Sequence, residues 1–385
     1  MSVKNRVISI DDQLECSRVI EVSCGYKQVK TPKRALSASK DYDETILENR
    51  NIRGFVEIYR RITRERLLNI LNDISALSKI SNSINYLLRK ARDEEITIGI
   101  IEYDAQGASN FTTEEIETLF DILNNPRLDI IVPPIIPRLS CEDYIRFLEK
   151  YIDVYCSSSF NAVLVPIIPH YSTSDIGKLF AYYIKKDQLC KNFICVDFNG
   201  SNAISQYAFV SKIVRESLQI EKEYGEPCVR YAINLKYGKA TKKEPIVPAK
   251  DVVIFAMGFN IFGSNHKRIA RLSGVGNYDL MTKIFNRGDY GYYNLNMVND
   301  VIRDADHYEI KIFEVLKDLE LTKIYNAEKH GLEALDISSA INEGRLSHYI
   351  KSKSRILEDK SILKRIFKVN KVSSEVSLEK YLYIE

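Results

Sequence analysis

Between about residues 52 and 265 the chain alternates short apolar runs with longer amphipathic stretches, and nothing else in the sequence restricts the fold as much. The apolar runs are Gly54–Tyr59, Ile96–Tyr103, Leu128–Val132, Ala162–Ile168, Phe193–Asp197, Val229–Asn234 and Val252–Ala256. Helical periodicity covers Thr63–Leu77, Thr112–Leu123, Glu142–Tyr155, Ser174–Lys185 and Ile204–Tyr224. Strands that are apolar throughout belong in a parallel sheet covered by helices. A doubly wound sheet and a closed barrel both meet that description. No glycine-rich phosphate loop follows an early strand, which counts against a dinucleotide fold. The expected class is therefore α/β: a (β/α)8 TIM-like barrel with an N-terminal β-hairpin and a helical C-terminal extension.

Residues 1–50 fall outside the alternation. Arg18 to Pro32 reads as a hairpin turning near Gly25, a lid region preceding a barrel core of 51–280. Residues 281–385 read as a mostly helical, strongly charged part of the same domain, with helices over Glu309–Leu319 and Ala334–Glu343. The stretch Lys360 to Lys371 is basic and amphipathic, the pattern of a helix packed by its apolar side with its charges in water. A net charge of +3 rules out whole-molecule attraction to nucleic acid, so such binding must come from a local patch. No signal-type apolar stretch follows Met1, and nowhere do about 18 apolar residues run together, so a cytoplasmic protein without a membrane partner is expected. The seven cysteines (Cys16, Cys24, Cys141, Cys156, Cys190, Cys195, Cys228) are scattered. Without a C-x-x-C pair they form neither a zinc knuckle nor a disulfide framework, and no metal site is expected.

Folds of this class present ligand-binding groups at the carboxyl ends of parallel strands. That rule collects Glu57, Glu102 with Asp104, Arg138, His170, Asp197 with Asn199, Asn234 with Lys236, and Asn260 through Arg271. Glu102 and Asp104 lie two apart, so an extended chain aims both to one side. The small residues after Asp104, including Gly107 and Ser109, permit close approach of a ligand. An acid at a strand end also has a plainer use, capping the next helix or pairing with a lysine. The cations of His266-Lys-Arg-Ile-Ala-Arg271 suit a sugar-phosphate backbone contacted without base readout, and Lys239, Lys242 and Lys243 extend the patch.

Taken in order, several segments resemble the tRNA-guanine transglycosylases, the archaeal branch above all. Thr31-Pro32 follows a hairpin like that family's T-P signature, and Asp104-Ala-Gln-Gly-Ala-Ser109 sits where it carries D-S-G-G-F-Q. Thr112-Thr-Glu-Glu-Ile116 and Leu128–Val132 resemble the helix start and strand that come next. Phe259-Asn-Ile-Phe-Gly-Ser-Asn265 is similar to the archaeal c-D-l-F-D-S-a, with Arg268–Arg271 as the basic tract after it. His330-Gly-Leu332 and Ile341–Leu346 resemble H-N-L and i-r-e-G-r-L near that catalytic domain's end.

The resemblance implies an eight-stranded barrel that exchanges guanine in tRNA for a deazaguanine. One aspartate attacks the ribose C1′, and a second, from D-S-G-G-F-Q, assists at the base. Asp104 keeps the second role; Gly263 stands where the nucleophile belongs. The base-recognising aspartate falls at Pro133-Pro134, and the glutamine-glycine turn near Pro169-His170-Tyr171. The zinc cysteines are missing, leaving His330 without ligand partners, so no cofactor is expected. Loss of a covalent nucleophile costs on the order of a million-fold in rate.

Two functions follow from this. One is a divergent glycosyltransferase acting on tRNA or DNA, with Asp104 catalytic and Glu102, Gly107, Ser109, His170, Asp197 and Asn260 at the substrate. An acid such as Glu102, Asp197 or Asp279 then replaces the nucleophile. The other is a non-catalytic nucleic-acid-binding or partner subunit, in a homodimer or beside an active paralogue. Both place nucleic acid on His266, Lys267, Arg268 and Arg271.

Overall fold

The computed structural model describes residues 2–39, 50–237, 246–267, 283–294 and 319–382. With strands numbered along the chain, β1 (Val3–Ile10), β2 (Arg18–Cys24) and β3 (Lys27–Lys30) form an antiparallel sheet. The β2–β3 turn falls at Gly25, as expected. β1 was not expected. Its polar and charged residues, Lys4, Asn5, Arg6 and Ser9, hide it from a reading that looks for apolar runs.

Two parallel ladders follow. One is ordered β5 (Leu36–Ser37), β6 (Phe55–Thr63), β7 (Ile96–Asp104), β8 (Ile130–Ile131), β9 (Val163–Leu164). The other is ordered β10 (Ile167–Ile168), β11 (Phe193–Asp197), β12 (Val229–Ile233), β14 (Ile261–Phe262), β4 (Lys33–Arg34). Only Ala35 separates β4 from β5, and only Val165-Pro166 separates β9 from β10. Ladder bonds cross both gaps: Ala35 N–H donates to Phe262 O at 2.9 Å, Val165 N–H to Ile131 O at 3.0 Å, and Cys195 N–H to Pro166 O at 2.9 Å. A small antiparallel sheet, β13 (Ile246–Pro248), β16 (Gly291–Asn294) and β15 (Lys283–Asn286), lies beyond. The chain is thus a mixed α/β protein with parallel sheets and a helical C-terminal region.

The expected strand over Val252–Ala256 is instead a 3-10 helix, Val252–Met257. Asp251 caps it by accepting the Val252 N–H, and Gly258, at φ 87°, closes it. All six of its residues are completely buried, so the unbroken apolar run reports burial and not extension. The true strand is β14, three residues beyond Gly258.

Helices α1 (Arg64–Asn72) and α2 (Ile74–Leu88) replace the single helix expected after β6, divided at Asp73, whose carboxylate accepts from Ser75 N–H. The next three keep their expected places: α3 (Thr113–Leu123), α4 (Cys141–Ser157) and α5 (Thr173–Ile184). Their N-caps are Thr112, in a capping box with Glu115, Ser140 and Ser172. α6 (Tyr207–Tyr224) ends at Gly225 in the left-handed conformation. α7 (Leu319–Asn342), α8 (Leu346–Lys351), α9 (Ser354–Glu358) and α10 (Lys360–Leu382) follow. The helix expected over Glu309–Leu319 lies outside the described residues apart from Leu319.

The C-terminal helices hold the N-terminal sheet. Asp11 accepts the Leu346 N–H at 2.8 Å, Asn370 accepts the Cys16 N–H at 3.1 Å, and the Asn370 amide donates to Ala256 O at 2.8 Å. All seven cysteines are free thiols, five of them buried. Among the described residues no helix is long and apolar enough to cross a membrane.

Candidate functional site

Period-two alternation along β6 sends Glu57, Tyr59 and Arg61 to one face, and along β7 it does the same for Glu102 and Asp104. The two strands pair in parallel with Arg61 opposite Glu102. Arg61 bonds Asp104 at 2.9 Å and approaches Glu102 at 3.6 Å, so the two acids do share a side. Tyr59 O–H donates to Glu102 at 2.5 Å, and the Lys267 ammonium reaches the same carboxylate at 2.7 Å.

Glu57 is the hub. Tyr231 O–H donates to it, the Ser264 N–H reaches both its oxygens at 3.1 Å, and His266 Nε2 lies 3.0 Å away. His266 is stacked on Tyr59, with ring centroids 3.9 Å apart and planes within 2°. Arg34, brought in by β4, donates to Ser264 Oγ at 2.9 Å and to Phe262 O at 3.0 Å. Burial alone pushes the Glu57 carboxyl up. The His266 hydrogen bond and charge, the Arg34 charge and the Tyr231 hydroxyl outweigh it and bring the pKa to about 2.

Asp197 moves the other way. Burial raises it, although Lys267, the Asn234 amide and the Asn199 N–H favour its charge. Asn234 donates to Asp197 at 2.8 Å and accepts the His266 N–H at 2.8 Å, tying β11, β12 and the segment after β14 together. Both Asn199 and Asn234 have positive φ, at 49° and 58°, a conformation asparagine tolerates better than most residues.

Gly263 lies inside this network. A Cβ there meets Glu57 Oε1 at 2.3 Å and side-chain carbons of Ile233 and Tyr231 at 2.8 Å. The space a side chain at 263 would need is filled by the carboxylate of another strand. Gly263→Ala is expected to destabilise the fold by about 1–3 kcal/mol, as overpacking of a filled interior does. Chemical denaturation reads this directly, and an unchanged midpoint would show that Glu57 and its neighbours give way.

The structure therefore brings together Glu102, Asp104, Asp197, His266 and Lys267 from the sequence-based set, with Glu57 and Asn234 from the wider list. Gly107 and Ser109 are exposed on the loop after Asp104, and open space surrounds Gly107. His170 tilts against Phe209 at 5.0 Å, and its buried Nε2 has no hydrogen-bond partner among the described residues. Asn260 is not with the others. It stands at the amino end of β14, where its side chain takes the Arg230 N–H at 3.1 Å and donates to Arg18 O at 3.3 Å, a structural clamp. His266 and Lys267 turn inward onto carboxylates instead of outward to phosphates. Arg268, Arg271, Lys239, Lys242, Lys243 and Asp279 lie outside the described residues.

Tyr59, Arg61, Tyr231 and Arg34 were missed, whereas Ser264 falls within the candidate stretch Asn260–Arg271. A carboxylate, a tyrosine and an arginine at alternate positions of an apolar strand is the signal that points to the first two. Arg34 had none, since its two-residue strand reads as a charged loop.

His330 is packed against Phe262 and Phe285. Tyr292 O–H lies between it and Asp251, at 2.7 and 2.8 Å. Burial depresses the imidazole well below its usual range and raises the Asp251 carboxyl to about 6. Among the described residues no group of His, Cys, Asp and Glu is placed to hold a metal ion.

Of these groups, Asp104 and Arg61 are each about a third exposed, at 37%, and Lys267 at 19%, whereas Glu57 and the His266 ring are sealed. Oppositely shifted carboxyls are the means by which enzymes separate an acid from a base. Here Glu57 and Asp197 both lie beneath the surface, with their acceptor sites engaged by neighbours.

No protein-family model matches this chain, and no curated protein matches it. Among solved structures it is similar to one from work on two fungal beta-1,4-galactanases, at 10% identity over 61% of this chain and 89% of that one, with a TM-score of 0.38.

Proposed function

We propose that this chain is a transglycosylase-like closed barrel that has lost the covalent step of base exchange and serves as a nucleic-acid-binding or partner subunit. Support for closure comes from the ladder bonds through Ala35 and through Val165-Pro166, which run across both junctions between the two parallel ladders. The observation that carries the functional reading is Gly263. The position of the attacking aspartate has neither a carboxylate nor room for one, because Glu57 fills it. Glu57 is no replacement nucleophile, since it is fully buried and held by Tyr231, Ser264 and His266. Asp104 keeps its place and stays within reach of solvent, clamped by Arg61.

The opposed shifts of Glu57 and Asp197 favour a second reading, an enzyme with a relocated carboxylate. Incubation with tRNA and radiolabelled guanine, quenched with hydroxylamine, separates the two. No guanine incorporation and no trapped protein–RNA adduct are expected. Either product would establish an active nucleophile and sink the silent-subunit reading.

A further inference from the structure

Helix α10 carries Lys360, Lys364, Arg365, Lys368 and Lys371 and no acid before Glu375. Its apolar residues Ile362, Ile366, Val369, Val372 and Val376 are buried, so the helix is seated on the protein by one face. Lys360, Lys364, Lys368 and Lys371 are exposed on the other. At the α-helical rise they form a line about 16 Å long, with neighbours about 6 Å or less apart along the axis.

The acids that flank the lysine row, Glu358, Asp359 and Glu375, are already engaged. Glu358 pairs with Arg355 at 3.0 Å, Asp359 with Lys250 at 3.1 Å, and Glu375 with Arg215. Lys360, Lys364 and Lys371 make no ion pair with any described residue. Arg365 and Lys368 lie over the Tyr207 ring at 5.3 and 5.0 Å, and Arg365 donates to Ile204 O at 3.0 Å. Those contacts anchor the ridge to the first residue of α6 and to the segment before it, which begins next to Asp197.

A straight row of unneutralised ammonium groups on a rigid helix is complementary to a linear polyanion. We propose that this ridge binds the phosphodiester backbone of a nucleic acid without reading its bases. An amphipathic helix that binds lipid must insert its apolar face. Here that face is spent on the protein core, which disfavours a membrane. The ridge uses none of the rim residues, so it holds whether or not the rim is catalytic.

The test is fluorescence anisotropy with a labelled, unstructured RNA oligonucleotide over a salt series. Replacing Lys360, Lys364 and Lys371 by Ala is expected to flatten the slope of log affinity against log salt by about 2. A control triple at the exposed Lys4, Lys30 and Lys79 removes the same net charge and is expected to leave the slope unchanged. Equal melting curves confirm that the variants fold. Equal effects of the two triples, no effect of either, absent RNA binding by the wild type, or ridge-dependent binding only to phosphatidylserine vesicles would each overturn the proposal. Guanine exchange by the wild type would overturn the silent-rim reading and leave this one standing.

Discussion

Glu57→Gln is expected to lower the unfolding free energy by about 3–5 kcal/mol, the range seen when one member of a buried ion network is removed. Glutamine keeps the size but withdraws the charge that faces His266 and Arg34, and places an N–H₂ among groups that donate to Glu57. Acid titration of the wild type gives an independent check. The Glu57 pKa is depressed from 4.5 to about 2, so its stabilisation is complete above pH 4.5 and drains away as pH falls towards 2. The 2.5-unit interval corresponds to about 3 kcal/mol. Glu57→Gln should lack that acid limb. If the variant unfolds at the wild-type denaturant midpoint, the hub carries no weight in the fold.

Asp251→Asn should act with the opposite sign. The carboxyl rises from 3.8 to about 6 because it is buried, so the folded state holds a proton that the unfolded chain releases. Stability from this group is greatest below pH 3.8 and falls as pH rises through 6, by about 3 kcal/mol. Asparagine can still accept the Val252 N–H through its oxygen and can donate to the Tyr292 hydroxyl. The variant is therefore expected to be as stable as the wild type or more so at pH 8, and to lose the slope between pH 4 and 6. Denaturation midpoints across that range decide it. A variant that keeps the wild-type slope removes Asp251 as its source.

The two substitutions together mark how far sequence reading reached. Wherever a strand was apolar throughout, as in Phe193–Asp197 or Val229–Ile233, its position followed from hydrophobic continuity alone. That same rule failed at Val252–Met257, because a 3-10 helix sealed on all sides leaves the same trace as a buried strand. It failed again at Lys33–Arg34, where a strand only two residues long is made of buried cations whose partners are distant in sequence.

For the site, Glu102, Asp104 and Asp197 were legible because they end recognisable strands. The direction in which Lys267 turns was not. A lysine after a strand reads as a surface charge until Glu102, 165 residues earlier, is known to lie 2.7 Å away. Asn260 misled for the complementary reason. It adjoins the right strand but stands at the wrong end of it, just before Ile261.

The clamp between the first strands and the last helices has a consequence for biosynthesis. The Asp11 carboxylate and the Cys16 amide leave the ribosome 335 and 354 residues ahead of the groups that satisfy them. Contacts so remote in sequence close late and slowly. A nascent chain must therefore carry the β1–β2 connection unsatisfied through 335 or more residues of synthesis, exposed to chaperones and to strands of its neighbours until α8 and α10 emerge to complete it.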